Sequence, residues 1–153
     1  MNRRLRSGIV AFAGIAVVVA ALWYVTAPPK GVDGYRERAA ATAETLVSQL
    51  ETARLWAESE GEGKALRATV LVGFEETEKD AEAAAAQFEG YEPPDGVAAL
   101  REDLTSLAAE ATEALSALRI AAQQERWGDV PELARPLPRL SEQLSALEER
   151  AEP

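Results

Sequence analysis

Apolar residues recur along most of this chain at steps of three and four, the spacing that lays a stripe down one side of an α-helix. Between Asp33 and Glu60 the stripe is Ala39, Ala43, Leu46, Leu50, Ala53 and Ala57. "GEG" at 61–63 interrupts it. A second stripe runs Leu66, Val70, Gly73, Thr77, Ala81, Ala84 and Phe88, and stops at "EGYEPPDG", where Pro93 and Pro94 cannot continue a helix. The third, through Val97, Leu100, Leu104, Leu107, Ala111, Ala114, Leu118 and Ala121, is the strongest in the chain. Asp95 is its expected cap and Trp127-Gly128 its expected end. Asp129 with Glu132 three positions on reads as a capping box, with Pro131 in the first turn. Leu133, Leu137, Leu140, Leu144 and Leu147 then alternate steps of four and three, and Pro136 and Pro138 divide this last run into a short entry turn and a main helix from near 137.

Four amphipathic helices joined by short connections bury their stripes on one another, with sequence neighbours antiparallel. The expectation over 33–153 is an all-α, up-down-up-down four-helix bundle. Alanine seams in the first run permit close helix approach, and leucines of the third and fourth runs supply most of the burial.

Ahead of this lies a segment of another kind. From Gly8 to Ala27, "GIVAFAGIAVVVAALWYVTA" runs twenty residues without a charge, about 30 Å as a helix and therefore the thickness of the bilayer hydrocarbon. A segment apolar on every side does not suit a helix with one face in water. It is also long for the apolar region of a secretory signal, and its best cleavage site, Val25-Thr26-Ala27, is followed by Pro28, which fits a protease groove poorly. An uncleaved anchor is expected. Trp23, Tyr24 and Lys30 are placed at its membrane interface, and Arg3, Arg4 and Arg6 hold the amino terminus in the cytoplasm. The predicted organisation is a basic cytoplasmic terminus at 1–7, a transmembrane helix at 8–27, a linker at 28–32 and an extracytoplasmic bundle at 33–153. The competing architecture is an extended stalk of two long helices, as in the membrane-anchored stator subunit of rotary ATP synthases, a family with the same composition of an anchor followed by Ala/Glu/Arg-rich helix. That subunit's soluble helix is nearly unbroken and cytoplasmic, whereas here three Gly/Pro interruptions and the leading arginines point to an exported bundle.

Composition narrows the chemistry. The chain has no Cys and no His, which removes thiol chemistry, disulfides, zinc sites of the usual ligands, His-ligated haem and His-based catalysis. From Pro28 onward 13 basic residues face 26 acidic ones, a net charge of −13 that repels nucleic acid and anionic lipid. Arginine outnumbers lysine 13 to 3, a bias that suggests a GC-rich bacterial genome. No catalytic residue, cofactor or metal site is expected. Glu75, Glu78 and Glu82 share a helical face, but a straight helix with Lys79 beside Glu75 reads as a solvated surface, and both Glu75→Ala and Glu78→Ala are expected to be nearly silent.

The aromatics are more informative. In the expected topology Trp56 and Trp127 meet at the end of the bundle farthest from the membrane, while Tyr35, Phe88 and Tyr91 gather at the near end. The tryptophans either plug the bundle or, with Arg54 and Arg126, form a tip for docking another envelope protein. The leading expectation is an anchored interaction module or accessory subunit of an envelope complex. The alternatives are an extracytoplasmic sensor or small-ligand binder, and a bundle secreted after cleavage.

Overall fold

The structure, a computed structural model, describes residues 31–152. The described residues are all-helical, with four long or medium helices and no strand. Helix α1 is Gly31–Gly61, α2 is Arg67–Glu89 and α3 is Ala98–Gln123. A 3-10 turn at Trp127–Asp129 leads into the single-turn helix α4, Val130–Leu133, and α5, Leu137–Ala151, closes the fold. The first helix already holds Gly31 and Val32, which the sequence pattern assigns to a linker. No helix among the described residues is long and apolar enough to cross a membrane. The run 8–27, with Trp23 and Tyr24, and Lys30 after it lie outside the described residues.

Side-chain contacts fix the helix directions. Tyr35 near the start of α1 packs on Phe88 near the end of α2, with ring centroids 5.3 Å apart. Gln123 at the end of α3 reaches Glu75 in the first half of α2. Arg139 and Arg150 of α5 pair with Glu110 and Asp103 of α3, the later residue meeting the earlier. Each helix is therefore antiparallel to the neighbour it meets in these contacts. α1 packs against α2 and α5, and α3 closes the ring by packing on the same two. Across the middle α1 touches α3, whereas α2 and α5 do not meet. Both helices of this diagonal bury alanines, Ala39, Ala43, Ala53 and Ala57 on α1 and Ala108, Ala111, Ala121 and Ala122 on α3, small side chains that permit close helix approach.

The core follows the predicted stripes closely. All six residues of the first stripe are buried, joined by Tyr35. Val70, Gly73, Thr77, Ala81 and Phe88 of the second are buried too, with Phe74 in addition, while Leu66 is 78% exposed because it sits at the N-cap of α2. In α3 Leu104, Leu115 and Leu118 are core and Leu107 is half-buried. Leu137, Leu140, Leu144 and Leu147 fill the α5 side, and Leu133 lies half-buried on α4.

The ends of the helices depart from the pattern. α3 stops at Gln123, short of Trp127, and the chain reverses through Glu125 at φ +57°. The Arg126 N-H donates to the Ala121 carbonyl at 2.8 Å and the Glu125 N-H to Ala122 at 3.1 Å, a Schellman closure with a glutamate in the left-handed position. The end of α1 closes the same way, with Gly63 at φ +67° and the Lys64 N-H on the Ser59 carbonyl at 2.8 Å. Neither expected aspartate cap forms. Asp95 lies ahead of Val97, the residue at the N-cap of α3, and that cap has no side-chain hydrogen bond. Asp129 is drawn off by Arg126 at 2.6 Å and Glu132 by Arg135 at 2.9 Å, so the expected capping box is replaced by two ion pairs. The proline break is where the sequence puts it, with α5 starting at Leu137.

Candidate functional site

The turns 61–66 and 124–129 come together at one end of the bundle, where Arg67 reaches both Glu60 and Trp127. Trp56 packs on α2 at Gly73, where an added Cβ would run into the indole ring at Nε1, Cε2 and Cδ1. Glycine at 73 is thus a requirement of close approach. Trp127, 9% exposed, is held in the 3-10 turn against the core. The guanidinium of Arg67, at the first turn of α2, stands 5.3 Å from the centre of the Trp127 ring, a cation–π contact. The Arg67 Nε also donates to Glu60 Oε1 at 3.0 Å, which ties the end of α1 to the start of α2 over the buried indole.

The two arginines that the sequence places beside these rings are engaged along their own segments. Arg54 bridges Glu51 at 2.9 Å and Glu58 on α1, contacts that raise its pKa, the hydrogen bond to Glu51 contributing most. Arg126 donates to Asp129 and to Gln124 within the turn. The guanidinium over the tip belongs instead to Arg67. Sequence reading missed it because Arg67 precedes Trp127 by sixty positions; its signal was a basic side chain at the start of a helix whose antiparallel neighbour is followed by a turn bearing an aromatic. The tip therefore presents Leu66 and Arg126, both exposed, around a plugged Trp127.

At the opposite end Tyr35 is fully enclosed beside Phe88, and Tyr91 is half-buried under the Arg38 guanidinium at 5.7 Å. Arg101 secures the α2–α3 loop by donating to the Tyr91 carbonyl at 3.1 Å and the Glu89 carbonyl at 3.4 Å. The Tyr35 hydroxyl meets no hydrogen-bond partner of good geometry among the described residues. Burial raises its pKa, and the nearby Arg101 charge opposes that shift.

The acidic face of α2 is a correction. Glu78 is buried at 6% exposure and forms a two-pronged ion pair with Arg119 of α3: Nε donates to Oε2, and Nη2 to Oε1 at 3.1 Å. Arg119 also donates to Gln123 at 2.8 Å, and Gln123 donates to Glu75 at 3.2 Å. These contacts raise the Arg119 pKa, its hydrogen bond to Glu78 contributing most, against the opposing effect of burial. Glu78 thus belongs to the α2–α3 interface, while Glu75 and Glu82 remain exposed. Among the described residues no group of His, Cys, Asp or Glu could hold a metal ion.

The remaining concave features lie on the outside of the bundle. One, of about 310 Å³, runs between α3 and the segment from Glu132 to Leu140. Another, of about 470 Å³, lies beside Pro93 and Arg101. The chain matches no family model, no curated protein and no solved structure.

Proposed function

We propose that this protein is a membrane-anchored, extracytoplasmic four-helix bundle that acts as an interaction module or accessory subunit of a cell-envelope complex. Residues 8–27 are the single transmembrane helix, the arginines at 3, 4 and 6 keep the amino terminus in the cytoplasm, and the up-down-up-down bundle stands outside. The observation that carries the reading is the filled interior. Tyr35, Leu46, Leu50, Phe74, Leu104, Leu118, Leu140 and Leu144 are each at most 1% exposed and come from all four principal helices. A small-ligand site in a bundle is built between facing helices, and here that space is occupied by side chains. The outer surface is left to carry function, and the distal tip with Arg54, Trp56, Arg126 and Trp127 is its first candidate.

Two experiments test it. A reporter active only outside the cytoplasm, fused after Pro153, should be active, and protease added to spheroplasts should remove the bundle; protection would overturn the topology. For the tip, Leu66→Ser and Arg126→Ser should leave the melting temperature within a few degrees and reduce capture of a partner from solubilised envelope. Unchanged capture by these folded variants would remove the tip as the docking surface.

A further inference from the structure

The side of the bundle between α3 and α5 is built differently from the rest. Pro136 and Pro138 delay α5 until Leu137, so the distal part of α3 is covered only by the short turn of α4. The α3 residues beneath it are Ala114 and Ala117, both half-buried and too small to fill the space. The resulting groove, about 310 Å³, has an alanine floor and apolar walls from Leu133 and Leu140.

Its rim is acidic. Glu110, Glu113 and Glu132 line it against one lining cation, Arg139. Arg139 reaches Glu110 at 3.4 Å and Arg135 reaches Glu132 at 2.9 Å, both exposed pairs of the kind that exchange partners at little cost. Glu113 makes no ion pair among the described residues. We propose that this groove docks a basic amphipathic segment of another protein. An apolar side chain of the size of Leu or Phe enters over Ala114 and Ala117, and a neighbouring Lys or Arg meets Glu113 and Glu132. A second copy of this chain is the poorer occupant, because it brings its own net charge of −13 over the same region. The proposal rests on the interaction-module reading and adds the chemistry of the partner.

The test uses the full-length protein in detergent and three labelled synthetic peptides of about 12 residues. One carries Leu and Arg at helical spacing, the second has Ser for each Leu, and the third has Glu for each Arg. Fluorescence anisotropy should show the first binding at least about tenfold more tightly than the other two. Ala117→Phe, which fills the floor, should weaken it by about tenfold or more. Glu113→Gln with Glu132→Gln should weaken it by about three- to tenfold and flatten its salt dependence. Glu76→Gln with Asp80→Gln, exposed on α2, which does not touch α5, should leave it unchanged. Equal binding of all three peptides, no binding by any, or an equal loss in the α2 control would overturn the groove. Should Leu66→Ser abolish binding while Ala117→Phe does not, the partner docks at the tip: the interaction module stands and the groove falls.

Discussion

Glu78 shows how much a single side chain's meaning depends on what faces it. On the helical wheel of α2 it belongs to an acidic surface, yet Arg119, forty-one positions later, turns it into a buried ion pair. Removing one partner of such a pair leaves a charge without compensation, while replacing both by apolar residues does not. Glu78→Ala should therefore lower stability by about 2–3 kcal/mol, below the range for fully buried pairs because Arg119 retains some water contact. The double change Glu78→Leu with Arg119→Leu should recover much of that loss in urea unfolding. Tyr35 gives a second residue-scale prediction. Its folded-state pKa lies above the ordinary 10.0, chiefly through burial. The neutral phenol is favoured in the folded chain, so its contribution is fully present below about pH 10 and is lost as pH rises through the folded value. Thermal melts from about pH 9 to 11 should show a steeper decline for the native sequence than for Tyr35→Phe, and parallel curves would reject this account. Tyr35→Phe should also cost little stability near neutral pH, since the hydroxyl it deletes has no good partner.

At the scale of elements, burial tracks the three-four periodicity so well because each helix has one wet side and one dry side. Leu104, Leu140 and Leu144 are at most 1% exposed, and each change to Ala should cost about 2–5 kcal/mol in the fragment 31–153. Leu107, half-buried, should cost clearly less, and chemical denaturation of the four variants checks the order. The four principal helices, most of the buried stripe positions and the proline break were legible from residue spacing, although Leu115, outside the third stripe, is core while Leu100 and Leu107 on it are half-buried. Caps and ion pairs were not. Asp129 could have capped a helix by its identity, but Arg126 three positions earlier competes for the same carboxylate, and a one-dimensional pattern does not rank the two. Arg67 over Trp127 and Arg119 on Glu78 depend on the rotation of one helix against another, which spacing along a single strand of sequence leaves free. Glu125 was equally hidden, because glycine is the usual signal for the left-handed residue that ends a helix. Glu125→Gly should relieve that conformation and raise stability by about 1 kcal/mol, read as a higher denaturant midpoint with unchanged slope.

The whole molecule joins a filled Ala/Leu interior to a strongly acidic exterior, and the two divide its work. The interior sets the fold with buried side chains from all four principal helices; the exterior, with the tip and the α3–α5 groove, is where we propose that partners dock. The same arrangement has a mechanical consequence. In a four-helix ring of this order, the first turn of α1 and the last turn of α5 lie at one end, the end marked by Tyr35 on Phe88 and by Arg150 on Asp103. These two outermost helices are also packed side by side and antiparallel. Tension applied between residue 31 and residue 152 therefore peels α5 from α1 one leucine layer at a time, instead of shearing all layers together. In optical tweezers such a bundle should open at low force with a long extension step, whereas handles attached at Gly31 and Gly128, along the long axis, should meet a stiffer molecule. A partner that pulls on the carboxy-terminal end would find a zipper, and one that pulls on the tip would find a rod.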